Sequence, residues 1–173
     1  TIREIKSARI PFETALLRNG TEEKYEAVEF RNGDYMYMSF ASPVDGYVAA
    51  YLYDRSGVSR LLPLKNQKEG SQKVEGGQRY VFFSHKRSQY SPRLDKQIEN
   101  VYSEYTVYCD EDELNRIYVI FSPNRFTRPL DNIYTDRDMP ATLSFEDFQS
   151  WLVKCRKQDT DMCVKMKDIT IRK

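Results

Sequence analysis

A chain of 173 residues suits one domain with a sizeable core, and 40% apolar with 31% charged residues marks it as globular, not disordered. A net charge of +1 supplies no field that would draw it to nucleic acid or an anionic membrane, and no apolar run reaches the roughly twenty residues that cross a bilayer. Three cysteines with no CxxC spacing give neither a disulfide framework nor a zinc site and do not fix a compartment.

Ala8, Ile10, Phe12 and Leu16 fall at strand spacing, and Pro11 on the other face places that strand at an edge. Asn19-Gly20 is a turn, Tyr25 to Phe30 a weaker strand, and Asn32-Gly33-Asp34 a second turn. The centre of the chain is FASPVDGYVAAYLYDRSGVSRLLP (40–63). Pro43-Val44-Asp45-Gly46 and Asp54-Arg55-Ser56-Gly57 are turn chemistry, and they divide the strands Tyr35–Phe40, Tyr47–Tyr53 and Val58–Leu62 into an antiparallel meander. A hairpin is expected at Gln72–Val74 and Arg79–Phe83, the second strand apolar on both faces and so inside the fold. Residues 84–100 read as a long basic loop, Val101–Cys109 as a strand, and Asp110 to Glu113 as an acidic turn. Ile117–Phe121 is a continuous apolar run and reads as a central strand.

Residues 125–142 show no period and read as a loop held by Phe126, Leu130 and Ile133. Ser144 then caps the one convincing helix, with Glu146 and Asp147 in its first turn. Phe145, Phe148, Trp151, Leu152 and Cys155 share one face of it, so Trp151 is expected to be largely buried. In the final strand Met162, Val164 and Met166 alternate with Cys163, Lys165 and Lys167; the apolar phase then slips to Ile169 and Ile171, which suggests a bulge. About nine strands and one late helix argue for a mainly β fold, an antiparallel β-sandwich with the C-terminal helix packed on it; a partly open β-barrel is the alternative. The domain reading is a single unit over 1–173: an N-terminal strand or arm (1–24), a sandwich core (25–142), then the helix and final strand (143–173). Thr1 in place of Met suggests a cut, with a leader or a whole domain expected ahead of it.

The stretches FRNGDYMYMSF (30–40), SPVDGYVAAYLYD (42–54), LLP (61–63), YVFFS (80–84), ELNRIYVIFSPNRF (113–126), LSFEDFQSWLVKCRKQD (143–159) and the terminal ITIRK carry a resemblance. Together they resemble the domain of unknown function family numbered four thousand three hundred eighty-four, and more closely C-terminal modules of exported bacterial proteins. Where such chains often have LLPY, this one has Leu64. The resemblance implies no activity and no catalytic residue. It implies a module appended to varied partners in envelope and signalling proteins, periplasmic or extracellular, with its signal peptide and an N-terminal domain missing from this chain.

No residue set reads as catalytic, and no cofactor or metal is implied. A Cys109–His85 pair would need a thiolate beside an imidazole, yet Cys109 alternates with Tyr105 and Val107 as a small core residue does. Cys155 and Cys163 are close in sequence, but the expected faces point their side chains apart. The carboxylates of Asp110–Glu113, Asp136 with Asp138, and Asp159 with Asp161 lack calcium-loop spacing and read as solvated turns. His85, Lys86, Arg87, Tyr90 and Arg93 mix bases with an aromatic, but the charge balance opposes nucleic-acid binding. The tyrosines are the last candidate, 13 of them against one Trp. Tyr47, Tyr51 and Tyr53 share a strand face, with Tyr35 and Tyr37 across the hairpin: an exposed strip could stack on sugar rings, and the alternative is packing beneath the helix. The expected function is therefore a non-catalytic binding or adaptor module recognising a protein, either a partner or the missing N-terminal domain. Carbohydrate binding by the tyrosine strip is the alternative.

Overall fold

The computed structural model describes residues 10–63, 69–84, 105–134 and 139–173. Among the described residues, eleven strands and one α-helix lie in three layers: a four-stranded sheet, a seven-stranded sheet, and the helix. The architecture is a mainly β sandwich, with no closed barrel.

The first sheet runs β1 (Glu13–Arg18), β3 (Tyr35–Ala41), β7 (Arg79–Phe82), with β8 (Tyr105–Thr106) also on β3. The second runs β10 (Ala141–Leu143), β5 (Gly57–Leu62), β4 (Gly46–Asp54), β9 (Glu113–Ser122), β11 (Cys163–Arg172), β2 (Glu29–Arg31), with β6 (Gln72–Val74) also on β4. All pairs are antiparallel except β2 with β11. Period-two side chains sort the core. Met36, Met38 and Phe40 point inward from β3 and meet Val48, Ala50, Ile117, Val119 and Phe121 between the sheets. The alternate residues of β4 and β9, Ala49, Tyr51, Tyr118 and Ile120, face the helix. β9 is therefore covered on both sides, which is why its sequence is a continuous apolar run.

The helix, α1 (Phe145–Gln158), begins as its sequence directs, with Ser144 Oγ accepting from the Asp147 backbone N–H at 3.1 Å. Phe148, Leu152 and Cys155 are buried against the second sheet, whereas Trp151 is only partly buried.

Several expectations need correction. Among the described residues the first strand starts at Glu13, leaving Ile10 and Phe12 ahead of it, and it pairs with β3 at six positions; Ala8 lies outside the described residues. Tyr25 closes a single 3-10 turn (Glu23–Tyr25), leaving only β2 as strand in that stretch. Within 101–109 only Tyr105 and Thr106 are paired strand; residues 101–104 lie outside the described residues. Residues 125–142 are not all loop, because Ala141–Leu143 pairs with β5, a strand too short to show a period. β11 has no bulge: its register with β9 is unbroken from Cys163 to Ile171. Cys163, Ile169 and Ile171 share the inter-sheet face, and the polar residues between them break the apolar pattern without breaking the strand. Lys165 stays on that face by donating to the Phe12 carbonyl, its ammonium 4.9 Å from the Phe12 ring centroid. The bulge lies in β4, between Ala50 and Tyr51 against β5.

Candidate functional site

One row of side chains crosses the helix-facing surface of the second sheet: Tyr118 on β9, Tyr51 on β4, Arg60 on β5 and Ala141 on β10 are successive cross-strand partners. Arg60 is the anomaly. Its side chain has 0% exposure, in phase with Val58 on a strand otherwise fit for a core. A buried guanidinium needs an opposite charge and hydrogen-bond acceptors. It finds them in Asp131, 1% exposed, whose Oδ2 accepts from Nε at 2.7 Å, and in the Pro63 carbonyl, which accepts from Nη1 at 2.8 Å. Arg128 adds a second cation 3.6 Å from Asp131 Oδ1. The Tyr51 hydroxyl is buried with no hydrogen-bond partner. Burial drives its pKa far above the usual phenol value; Arg60 opposes that rise and Asp131 adds to it.

Asp131 belongs to a strap, residues 123–134, that crosses this end of the sheet. Phe126 and Pro129 are buried beneath it. Polar ties do the rest: Trp151 Nε1 donates to the Thr127 carbonyl at 3.0 Å, Ser71 Oγ to the Phe126 carbonyl at 3.3 Å, and Asn132 and Thr142 exchange backbone bonds at 2.6 and 3.1 Å. The chain at Gly70 runs so close beneath that a Cβ there would lie 2.2 Å from the Arg128 nitrogen. Sequence reasoning made Leu130 a holding residue, and the structure overturns this: Leu130 is 97% exposed, and its neighbour Asp131 points inward instead. Tyr134 at 91% and Met139 at 54% exposure lie near it in sequence. The one signal for this arrangement was Arg60 itself, a charge in the buried phase of a strand.

The five tyrosines do not form one strip. Tyr35 and Tyr37 lie on the outer face of the first sheet, their rings 6.5 Å apart. The other three lie on the far side of the second sheet. Tyr51 is wedged against Phe148 and Trp151, with centroids 5.0 and 5.4 Å away. Tyr53 stacks on Phe145 at 4.1 Å, and Arg125 sits 5.6 Å from the Tyr47 centroid. Only Tyr35 is more than two-fifths exposed among these, at 42%.

The remaining candidates resolve by their partners. Cys109 is buried, and burial with the carboxylates of Glu113, Asp112 and Asp110 pushes its thiol pKa up, the reverse of what a nucleophile needs. His85 and the rest of the basic loop, like Asp136 and Asp138, lie outside the described residues. Cys155 and Cys163 are free thiols on opposite faces of the second sheet, one under the helix and one between the sheets. Glu111 and Glu113 pair with Arg55 at 2.8 and 3.7 Å, and Asp112 accepts from Arg172 and the Lys173 backbone at 3.1 and 2.9 Å. Asp159 and Asp161 both receive the Asn124 amide, and Asp159 also receives the Ser122 hydroxyl. These carboxylates fasten turns to strand ends. Among the described residues no group of three or more His, Cys, Asp or Glu could hold a metal, and no helix is long and apolar enough to cross a membrane.

Comparison with protein-family models, with curated proteins and with solved structures found no match.

Proposed function

We propose that the protein is a non-catalytic recognition module that binds a protein partner through the strap. The observation that carries this is the inversion at Leu130 and Asp131: stability alone favours the leucine inside and the aspartate in water. Here the carboxylate is pinned inside and the leucine is held out at 97% exposure, with Tyr134 at 91% close by in sequence. Loops on a rigid sheet are where recognition residues concentrate, and large apolar side chains held in one place are suited to act as binding anchors. Leu130→Asp and Tyr134→Ala should abolish capture of specific partners from extracts of the source cells while leaving the thermal midpoint unchanged. Retention of the same proteins by wild type and both variants would refute the reading, as would turnover of an ester, peptide or glycoside panel lost on Cys109→Ala.

The partner is either a separate protein or a preceding domain of the same chain. An exported, periplasmic or extracellular setting is part of the proposal and is supported by the family resemblance alone; fractionation of source cells tests it. Tyr35 and Tyr37, paired on the outer face of the first sheet, support a second reading, saccharide stacking. A glycan array with wild type and Tyr35→Ala separates it, and absence of saccharide binding removes it.

A further inference from the structure

Arg60 stands on a strand paired on both sides, so its position is fixed by the sheet. The carboxylate that neutralises it is not. No sheet neighbour supplies one, since the cross-strand partners are Tyr51 and Ala141. It comes from a segment 71 residues further along, which has no regular structure there. Beside the pair lies the Tyr51 hydroxyl, wholly buried and without a hydrogen-bond partner, so the rigid part of the site offers a further donor that Asp131 does not use. A guanidinium fork with an adjacent hydroxyl donor is chemistry for binding a carboxylate.

We propose that Arg60 and Tyr51 form a carboxylate-receptor site built into the sheet, that Asp131 occupies it as a tethered ligand, and that a free carboxylate competes for it and releases the strap. The strap is suited to such release. It contributes few apolar side chains to the interior, and its other ties are scattered hydrogen bonds, the longest ladder being the two-bond bridge of Asn132 with Thr142, so it opens at lower cost than the strands. Its tether gives Asp131 a high effective concentration, which an external carboxylate must overcome by mass action. Release would withdraw the inward pin that holds Leu130 out, so a carboxylate would regulate the display on the strap. That consequence rests on the recognition reading; the receptor chemistry does not, and the test below uses no partner.

The probe is acetate, exchanged for chloride at constant ionic strength. In the wild-type protein, amide exchange in the strap should be faster than in β4 and β9 and should accelerate with acetate while β4 and β9 stay unchanged. In Asp131→Ala, acetate should raise the thermal midpoint in a saturable way. The double variant Arg60→Met/Asp131→Ala should show no such shift. If Asp131→Ala responds no more than the double variant, the receptor site is wrong. If its midpoint responds but the wild-type strap does not, competition is wrong and the proposal falls. Should Asp131→Ala fail to fold in either salt, the wild-type exchange decides, and a strap indifferent to acetate overturns the proposal.

Discussion

Arg60 and Asp131 form a pair whose value depends on how it is broken. Burying two ions costs several kcal/mol each, and their attraction offsets this only with good geometry such as the 2.7 Å contact here. Removing one partner strands the other in the interior, at a cost of about 3–5 kcal/mol. Replacing both with apolar groups removes the desolvation penalty together with the attraction. Arg60→Met and Asp131→Leu should therefore each lower the urea midpoint strongly, while the double variant recovers most of the loss. A double variant as weak as the sum of the singles would show that the two act separately. The sequence hid this pair for a physical reason. Arg60 is visible as a charge in an apolar phase, but its partner lies in a segment with no period, where a leucine is the natural choice for the inside.

The helix was the most legible element, because cap, dipole and apolar stripe all agree. What the stripe could not reveal was how burial divides along it. Phe148 is wholly buried between Tyr51 and Tyr118, whereas Trp151 lies at the border and spends its indole N–H on the strap. Phe148→Ala should therefore cost about 3–5 kcal/mol, and Trp151→Ala less. Ser144→Ala should cost about 1 kcal/mol through the lost cap. Urea unfolding checks the order, and a Trp151 variant weaker than the Phe148 variant would contradict it. Strands were legible where they alternate over several residues, as in β3. The three-residue β10 was missed for want of a period, and in β11 the strand was legible but its inward face was not, because Lys165 occupies an inward position by reaching the Phe12 carbonyl.

At the scale of the molecule, the second sheet takes strands from both ends of the chain: β2 lies in parallel beside β11. The acidic turn fastens that corner. The Lys173 backbone N–H bond, with Arg172 behind it, holds the Asp112 carboxyl below the usual carboxylate range, and Arg116 does the same for Asp168. A carboxyl whose folded pKa is depressed adds stability above its unfolded value of about 4, and that stability is lost as pH falls through the lower folded values. The protein should therefore weaken below about pH 4, and Asp112→Asn and Asp168→Asn should each flatten that acid limb in a midpoint-against-pH series. Both groups are largely exposed, so the contribution of each is small and falls with salt. The sandwich class and its terminal helix could be read from periodicity. Of the neighbours expected from the sequence, only β4 and β5 pair. β3 and β7 pair with each other in the first sheet, so the meander does not run from β3 to β4 and β6 forms no hairpin with β7. Pairing across the chain is set by the joint burial of distant faces and leaves no local mark.

Gly70 gives the strap a genetic handle. Its missing methyl group is what lets the strap lie down: the atoms that a Cβ would meet at 2.2 and 2.3 Å are main-chain atoms of Arg128 and Thr127, which cannot swing aside as a flexible side chain can. A single Gly70→Ala allele would thus prise the strap upward with Arg60, Asp131 and Tyr51 all intact. Such an allele should behave in cells like a lock jammed open, and it would separate the loss of a closed strap from the loss of any charge.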